Sequence, residues 1–248
     1  MTIRLRDHVD CWYISAAELA PRYESLTEVL LSDEERARAD SFRFARDRRC
    51  YLAAHGALRL LIARYTGESP ETVTIRNDAN ARPMLENSPI QFNLSHSGDS
   101  ALLAFSCAAP VGVDVEKIHE IPDLMAIARS SFSVTEVEAI ERLPPTQRTT
   151  AFFVIWTRKE AIVKAIGRGL SFPLWSFGTG HPHRPPYLTG QQAETWSDWT
   201  VADLRPSKQC LGAVAIHRPN IRISCQRADW PWLLRNQATP HSHLAVTG

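Results

Sequence analysis

Apolar side chains recur at helical spacing through two long stretches of the chain. Over residues 46–65, Leu52, Leu58, Leu61 and Ile62 share one face, and Gly67 closes the run. Over residues 146–166, the repeat is carried by Phe152, Phe153, Ile155, Trp156, Ile162, Val163 and Ile166, and Gly167 closes it. Each stretch predicts a long amphipathic helix that stops at a residue free to adopt positive φ. Shorter helices are signalled before both. Ser32 followed by Asp33, Glu34 and Glu35 reads as an N-cap and an acid-rich first turn, for a helix over 32–40. Residues 122–131 read as helix, and Ser133 with Glu136 three positions on is a capping box opening a further helix toward Arg142. Pro144 and Pro145 then break the pattern.

Between the two helical regions the period shortens. Residues 73–75 and 90–94 are β-rich, 79–83 and 95–99 read as turns, and 101–105 and 111–115 complete a small sheet. β-type sequence also follows the second long helix, at 212–217. Two long helices ending at glycines a hundred residues apart, each followed by strands, predict an α+β chain of two similar halves. The first half is expected over 1–117, the second over 118–235, and a disordered tail over 236–248.

A length of 248 residues with 44% hydrophobic content is enough for a substantial core. No run reaches the ~20 apolar residues of a membrane span, and residues 1–7 lack the apolar stretch of a signal peptide, so a soluble cytoplasmic protein is expected. Five widely spaced cysteines without a C-x-x-C pair suit reduced thiols. A net charge of +1 argues against nucleic acid as a partner. Arg36, Arg38, Arg43, Arg46, Arg48 and Arg49 do crowd together, interleaved with acids, which suits a solvated helical face or a phosphate-binding patch. His181 and His183, in proline-rich surroundings, read as an ordinary surface loop.

The strongest candidate chemistry lies in two acidic stretches. Asp114 and Glu116 stand two apart on an expected strand, so both carboxylates face one way while Val111, Val113 and Val115 face the core. Glu160 and Lys164 stand one turn apart on the second long helix. Taken singly, these are a solvated strand face and an exposed ion pair worth about 0.3 kcal/mol. Taken together, with a Ser95-His96-Ser97-Gly98 segment before the first and a glycine-containing turn after the second, they suit a magnesium site of Asp114, Glu116 and Glu160.

The ordered set Phe92-Asn93-Leu94-Ser95-His96-Ser97-Gly98, residues 111–117 (Val-Gly-Val-Asp-Val-Glu-Lys) and 156–170 resembles the surfactin-type 4'-phosphopantetheinyl transferases over about residues 31–175. The resemblance implies two similar α+β halves in a monomer, and transfer of the phosphopantetheine arm of coenzyme A to a serine of an apo acyl or peptidyl carrier-protein domain. The pathways it suggests are nonribosomal peptide, polyketide or fatty-acid synthesis. It also implies that Asp114, Glu116 and Glu160 hold Mg2+, that Glu160 is the base and that Lys164 meets a phosphate. Ser95, His96 and Asp114 would sit at the coenzyme's phosphates, Arg82-Pro83 beside its adenine and 3'-phosphate, and Arg36, Arg38 and Arg49 near that same 3'-phosphate. Met125 and Phe132 would lie near the carrier, Phe132 being equally suited to the core. The chain departs from the family at Cys50, where a basic residue is usual, and at Ala81, where glycine is usual. A nucleotide phosphohydrolase would use the same three acids but leaves Ser95, His96 and the arginines unexplained. A binding module without turnover would rest on Cys50 and Ala81 alone.

Overall fold

The computed structural model describes residues 4–19, 21–78, 80, 82–168, 172–190 and 197–235. The expected tail at 236–248, Ala79 and Ala81 of the expected turn, and Gly169, Leu170 and Ser171 lie outside the described residues. In chain order the helices are α1 (Pro21–Leu30), α2 (Asp33–Asp40), α3 (Ala45–Thr66), α4 (Leu124–Ser131), α5 (Val134–Glu141), α6 (Pro145–Ile166) and α7 (Trp230–Arg235). The two glycine stops are where the pattern put them, Gly67 at φ 82° and Gly167 at φ 76°. The expected capping box of Ser133 with Glu136 forms at α5, and the expected N-cap Ser32 goes further, forming a capping box with Glu35 at α2.

Two main sheets separate the long helices. The first contains β1 (His8–Ser15), β4 (Gln91–Ser97), β5 (Ser100–Ser106) and β11 (Arg222–Arg227), in the order β11-β1-β5-β4, with only the β1–β11 pair parallel. The second is β6 (Val111–Lys117), β9 (Thr200–Ser207) and β10 (Cys210–Ile216), antiparallel in the order β6-β10-β9. Two ribbons, β2 (Ile75–Asn77) with β3 (Pro83–Leu85) and β7 (Phe177–Gly178) with β8 (Thr189–Gly190), complete the fold. Strands cross between the halves, because β6 pairs with the late strand β10 and β11 pairs with the early strand β1.

The core is layered as helix, sheet, sheet, helix. Trp12, Ile14, Leu103 and Phe105 pack with Leu52, Leu58 and Leu61 of α3, while Cys11, Leu102 and Ala104 on the opposite face meet Val111, Val113, Val115 and Val214. The outer face of the second sheet, Ala213 and Ala215, receives Ala161, Ile162 and Ala165 of α6. This explains one departure from the sequence reading. The expected single small sheet divides because β6 turns its valines onto the first sheet and pairs along its edge with β10 instead. β5, between the two layers, is buried along its whole length, as an apolar run requires. The expected turn at 95–99 also shrinks. Ser95, His96 and Ser97 continue β4, and Gly98, at φ 62°, makes the reversal.

Candidate functional site

The site begins with a glycine. A Cβ on Gly112 would lie 2.0 Å from the Ala161 carbonyl oxygen and 2.4 Å from the Ala165 amide nitrogen, so only glycine lets α6 sit this close to β6. That contact places Glu160 and Lys164, the flanking helix positions, over the β6 face that carries Asp114 and Glu116. Asp114 is buried, and the Lys164 Nζ donates to its Oδ1 at 2.6 Å and to the Ser95 Oγ at 3.0 Å. The pairing of the two acids on one face is as the strand period required.

The acids perturb one another. Burial pushes the Glu160 pKa above its ordinary value, Asp114 and Glu116 push it further, and Lys164 opposes them. Glu116 is raised as well, first by burial and also by Asp114, against a hydrogen bond from Ser97. The Asp114 Oδ2 is buried and has no hydrogen-bond partner among the described residues. An open carboxylate oxygen beside two destabilised carboxylates suits a hard cation by donor type and by charge. Among the described residues no three acid, histidine or cysteine side chains are already gathered as a metal cluster.

Of the remaining expected residues, Ser95 joins this cluster and the others are dispersed. The Ser95 hydroxyl donates to Asp114 Oδ1 at 2.8 Å and accepts from Lys164 and, at 3.4 Å, from the Val115 amide, which uses the capacity of a hydroxyl in full. His96 is exposed on the other face of β4. Desolvation, then His55 and Lys164, hold its pKa below the ordinary histidine value, so near neutral pH it is an uncharged donor. The Arg36 guanidinium is bound to the Glu28 and Leu31 carbonyls and to Asp33. Arg38 lies over the Phe42 ring at 5.2 Å, exposed Arg49 is 3.7 Å from Glu24, and Arg82, next to Pro83, is 3.4 Å from Asp78. Cys50 faces the core and burial pushes its thiol up to about 11. Phe132 is likewise a core residue, 3% exposed and packed on Phe152, whereas Met125 is only partly buried beside it.

The sequence reading passed over the two residues before Glu160. Arg158 and Lys159 have no exposed side-chain surface. All five Arg158 donors are used, on both oxygens of Asp203 and on the carbonyls of Thr179, His181 and Arg184. Lys159 bonds the Leu174 and Phe177 carbonyls and lies 2.9 Å from Glu136. These cations tie the segment around residues 174–184 to α6 and hold the helix that presents Glu160. Their charge gave no warning, because a lysine or arginine on an amphipathic helix ordinarily reaches solvent.

Two family models divide the chain between them. Residues 18–108 match the N-terminal region of 4'-phosphopantetheinyl transferases, and residues 110–217 match the 4'-phosphopantetheinyl transferase superfamily. Similar proteins include the 4'-phosphopantetheinyl transferase HetI of a Nostoc strain, 33% identical over 86% of this chain and 89% of its own length. The transferase psf-1 of Bacillus pumilus is 36% identical over 59% of the chain and 62% of its own length. The human L-aminoadipate-semialdehyde dehydrogenase-phosphopantetheinyl transferase is 27% identical over 84% and 75% respectively.

Proposed function

This chain belongs to the 4'-phosphopantetheinyl transferase superfamily, and we propose that Asp114, Glu116, Glu160 and Lys164 are the groups with which it performs that transfer. The reaction joins a serine hydroxyl of an apo carrier-protein domain to the coenzyme A phosphorus next to pantetheine. The bond from that phosphorus to the bridging oxygen breaks, and the electron pair leaves with adenosine 3',5'-bisphosphate. The observation that carries the assignment is the convergence on α6 and β6 of three interacting acids, one oxygen left open, and one cation.

Glu160 is the base. A carboxyl of ordinary pKa is a weak acceptor for a serine proton, and burial with two acidic neighbours raises this one toward a better match. Lys164 offers its ammonium to a phosphate oxygen and stabilises charge as the bridging bond breaks. Asp114, Glu116 and Glu160 would hold Mg2+, which when bound offsets the charge of the pyrophosphate. Uncharged His96 would donate to a phosphate. Among the described residues, the side chains of Arg49 and Arg82, on the first half, are held only by ion pairs of 3.7 and 3.4 Å, and they would serve the 3'-phosphate and the adenine. Exposed Arg38, with a ring contact to Phe42, stands beside them for the 3'-phosphate, whereas Arg36 is held by the Glu28 and Leu31 carbonyls and by Asp33. The reading extends to a cytoplasmic monomer, supported by the pairing of two halves within one chain and by the lack, among the described residues, of any helix long and apolar enough to cross a membrane.

The test is the intact mass of an apo acyl or peptidyl carrier domain after incubation with the protein, coenzyme A and Mg2+. A gain of one phosphopantetheine, abolished by a chelator and by Glu160→Gln, is expected. Undiminished loading by Glu160→Gln would remove Glu160 as the base.

A further inference from the structure

β4 and β6 are the edge strands of different sheets, lying against each other with no backbone ladder between them. Edge amides inside a protein still need partners. Here side chains supply them. Asn93 Oδ1 accepts from the Val113 amide at 2.9 Å, Ser95 Oγ from Val115 at 3.4 Å and Ser97 Oγ from Lys117 at 3.1 Å. The three residues alternate along β4, so they share one face, and the partner is always twenty residues further along the chain. A constant offset makes this a parallel ladder whose rungs are side chains.

The two serine rungs carry a second bond. Ser95 Oγ donates to Asp114 Oδ1 at 2.8 Å, and Ser97 Oγ donates to Glu116 Oε2 at 2.6 Å. A hydroxyl both accepts and donates, so each serine fixes the strand and the acid on it at once. Asn93 fixes the strand only.

We propose that Asn93 and Ser97 are positioning residues for the transfer: the ladder sets the height of β6 against β4, and Ser97 aims the Glu116 carboxylate at the partners that α6 brings. The proposal rests on the transferase reading. A slip of β6 by a fraction of a residue would move Asp114 and Glu116 relative to Glu160 without unfolding either sheet.

The experiment combines amide hydrogen exchange and carrier loading on the full chain. Ser97→Ala should speed exchange at Lys117 roughly tenfold, the loss expected for one net hydrogen bond. It should also lower kcat about ten- to hundredfold with KM for coenzyme A nearly unchanged, as for a misplaced catalytic group. Ser97→Thr, which keeps the hydroxyl, should restore both. Asn93→Ala should speed exchange at Val113 and lower kcat less than Ser97→Ala does. Unchanged exchange at Lys117 in Ser97→Ala would overturn the ladder. Faster exchange with native kcat, or failure of threonine to restore activity, would overturn the positioning role. A native chain that loads no carrier would overturn the transferase reading and the positioning role with it, while exchange at Lys117 would still decide the ladder.

Discussion

The two halves solve one packing problem twice and differ where chemistry is needed. α3 and α6 each span 22 residues and each end at a left-handed glycine. In both, a buried cation eight positions before that glycine pairs with the capping-box glutamate of the preceding helix: Arg59 with Glu35 at 2.6 Å, and Lys159 with Glu136 at 2.9 Å. Beyond that point they part. The position after Arg59 is Leu60, 2% exposed in the core, whereas the position after Lys159 is Glu160. Arg64 lies over the Trp232 ring at 4.3 Å, whereas Lys164 reaches Asp114. Each main sheet also buries an aspartate, Asp10 on β1 and Asp114 on β6. Asp10 has both oxygens bound, by Tyr65 and by Ser224, while Asp114 keeps Oδ2 open. Around α3 and β1 the acids Glu35 and Asp10 are closed off by their partners, whereas between α6 and β6 Asp114 keeps one oxygen open, and that place is the site.

Exchanging the roles of Leu60 and Glu160 is the strongest way to break the comparison. Glu160→Gln should cut kcat for carrier loading by about a thousandfold, within the range for loss of a general base, with little change in stability. Leu60→Ala should do the reverse, costing roughly 2–5 kcal/mol in urea denaturation with little loss of kcat per folded molecule. If Glu160→Gln kept its rate, or Leu60→Ala lost rate in excess of stability, the division into a scaffold half and a chemical half would fail.

The legibility of the sequence follows the same division. Period, glycine stops and capping boxes revealed α2, α3, α5 and α6, because those signals are local. The parity of Asp114 and Glu116 was readable from the strand period for the same reason. β1 and β11 were not singled out, since their pairing joins residues over two hundred apart, and β1 is buried on both faces and so lacks alternation. Asn93 and Ser97 were legible only as members of a motif. Their work depends on an edge-to-edge meeting of two sheets, which no local period reports. Arg158 and Lys159 were hidden by the ordinary habit of cations to seek water.

The paired glutamates give the next effects. Burial pulls the Lys159 pKa down and Glu136 opposes it, so Glu136→Gln leaves a buried cation without its counter-charge and should cost about 3–5 kcal/mol. Glu35 is pushed up by burial, but His55, the Ser32 amide and Arg59 outweigh that and hold it at about 2, below the ordinary 4.5. A depressed carboxyl contributes its stability above the unfolded value and loses it as pH falls through the folded one. Glu35→Gln should therefore cost about 3 kcal/mol at neutral pH. The gap between variant and parent should close as pH falls from 4.5 toward about 2. A constant gap across urea melts in that window would deny the ion pair its part.

The smallest effect is the most direct reading of the contrast, because Glu35 and Glu160 are displaced in opposite directions from the same ordinary value. In metal-free protein, carbon-13 NMR of the glutamate carboxyls should find Glu35 titrating near 2 and Glu160 above 4.5. Lys164 lowers the Glu160 pKa, so Lys164→Gln should move that titration up; Asp114 raises it, so Asp114→Asn should move it down. Mg2+ should pull Glu160 down and leave Glu35 where it is, since a cation held by the three acids favours their charged forms. If Glu160 titrated with ordinary carboxylates and ignored both its neighbours and the cation, the acids on β6 and α6 would be no more than the solvated strand face and helix pair that each motif suggests alone.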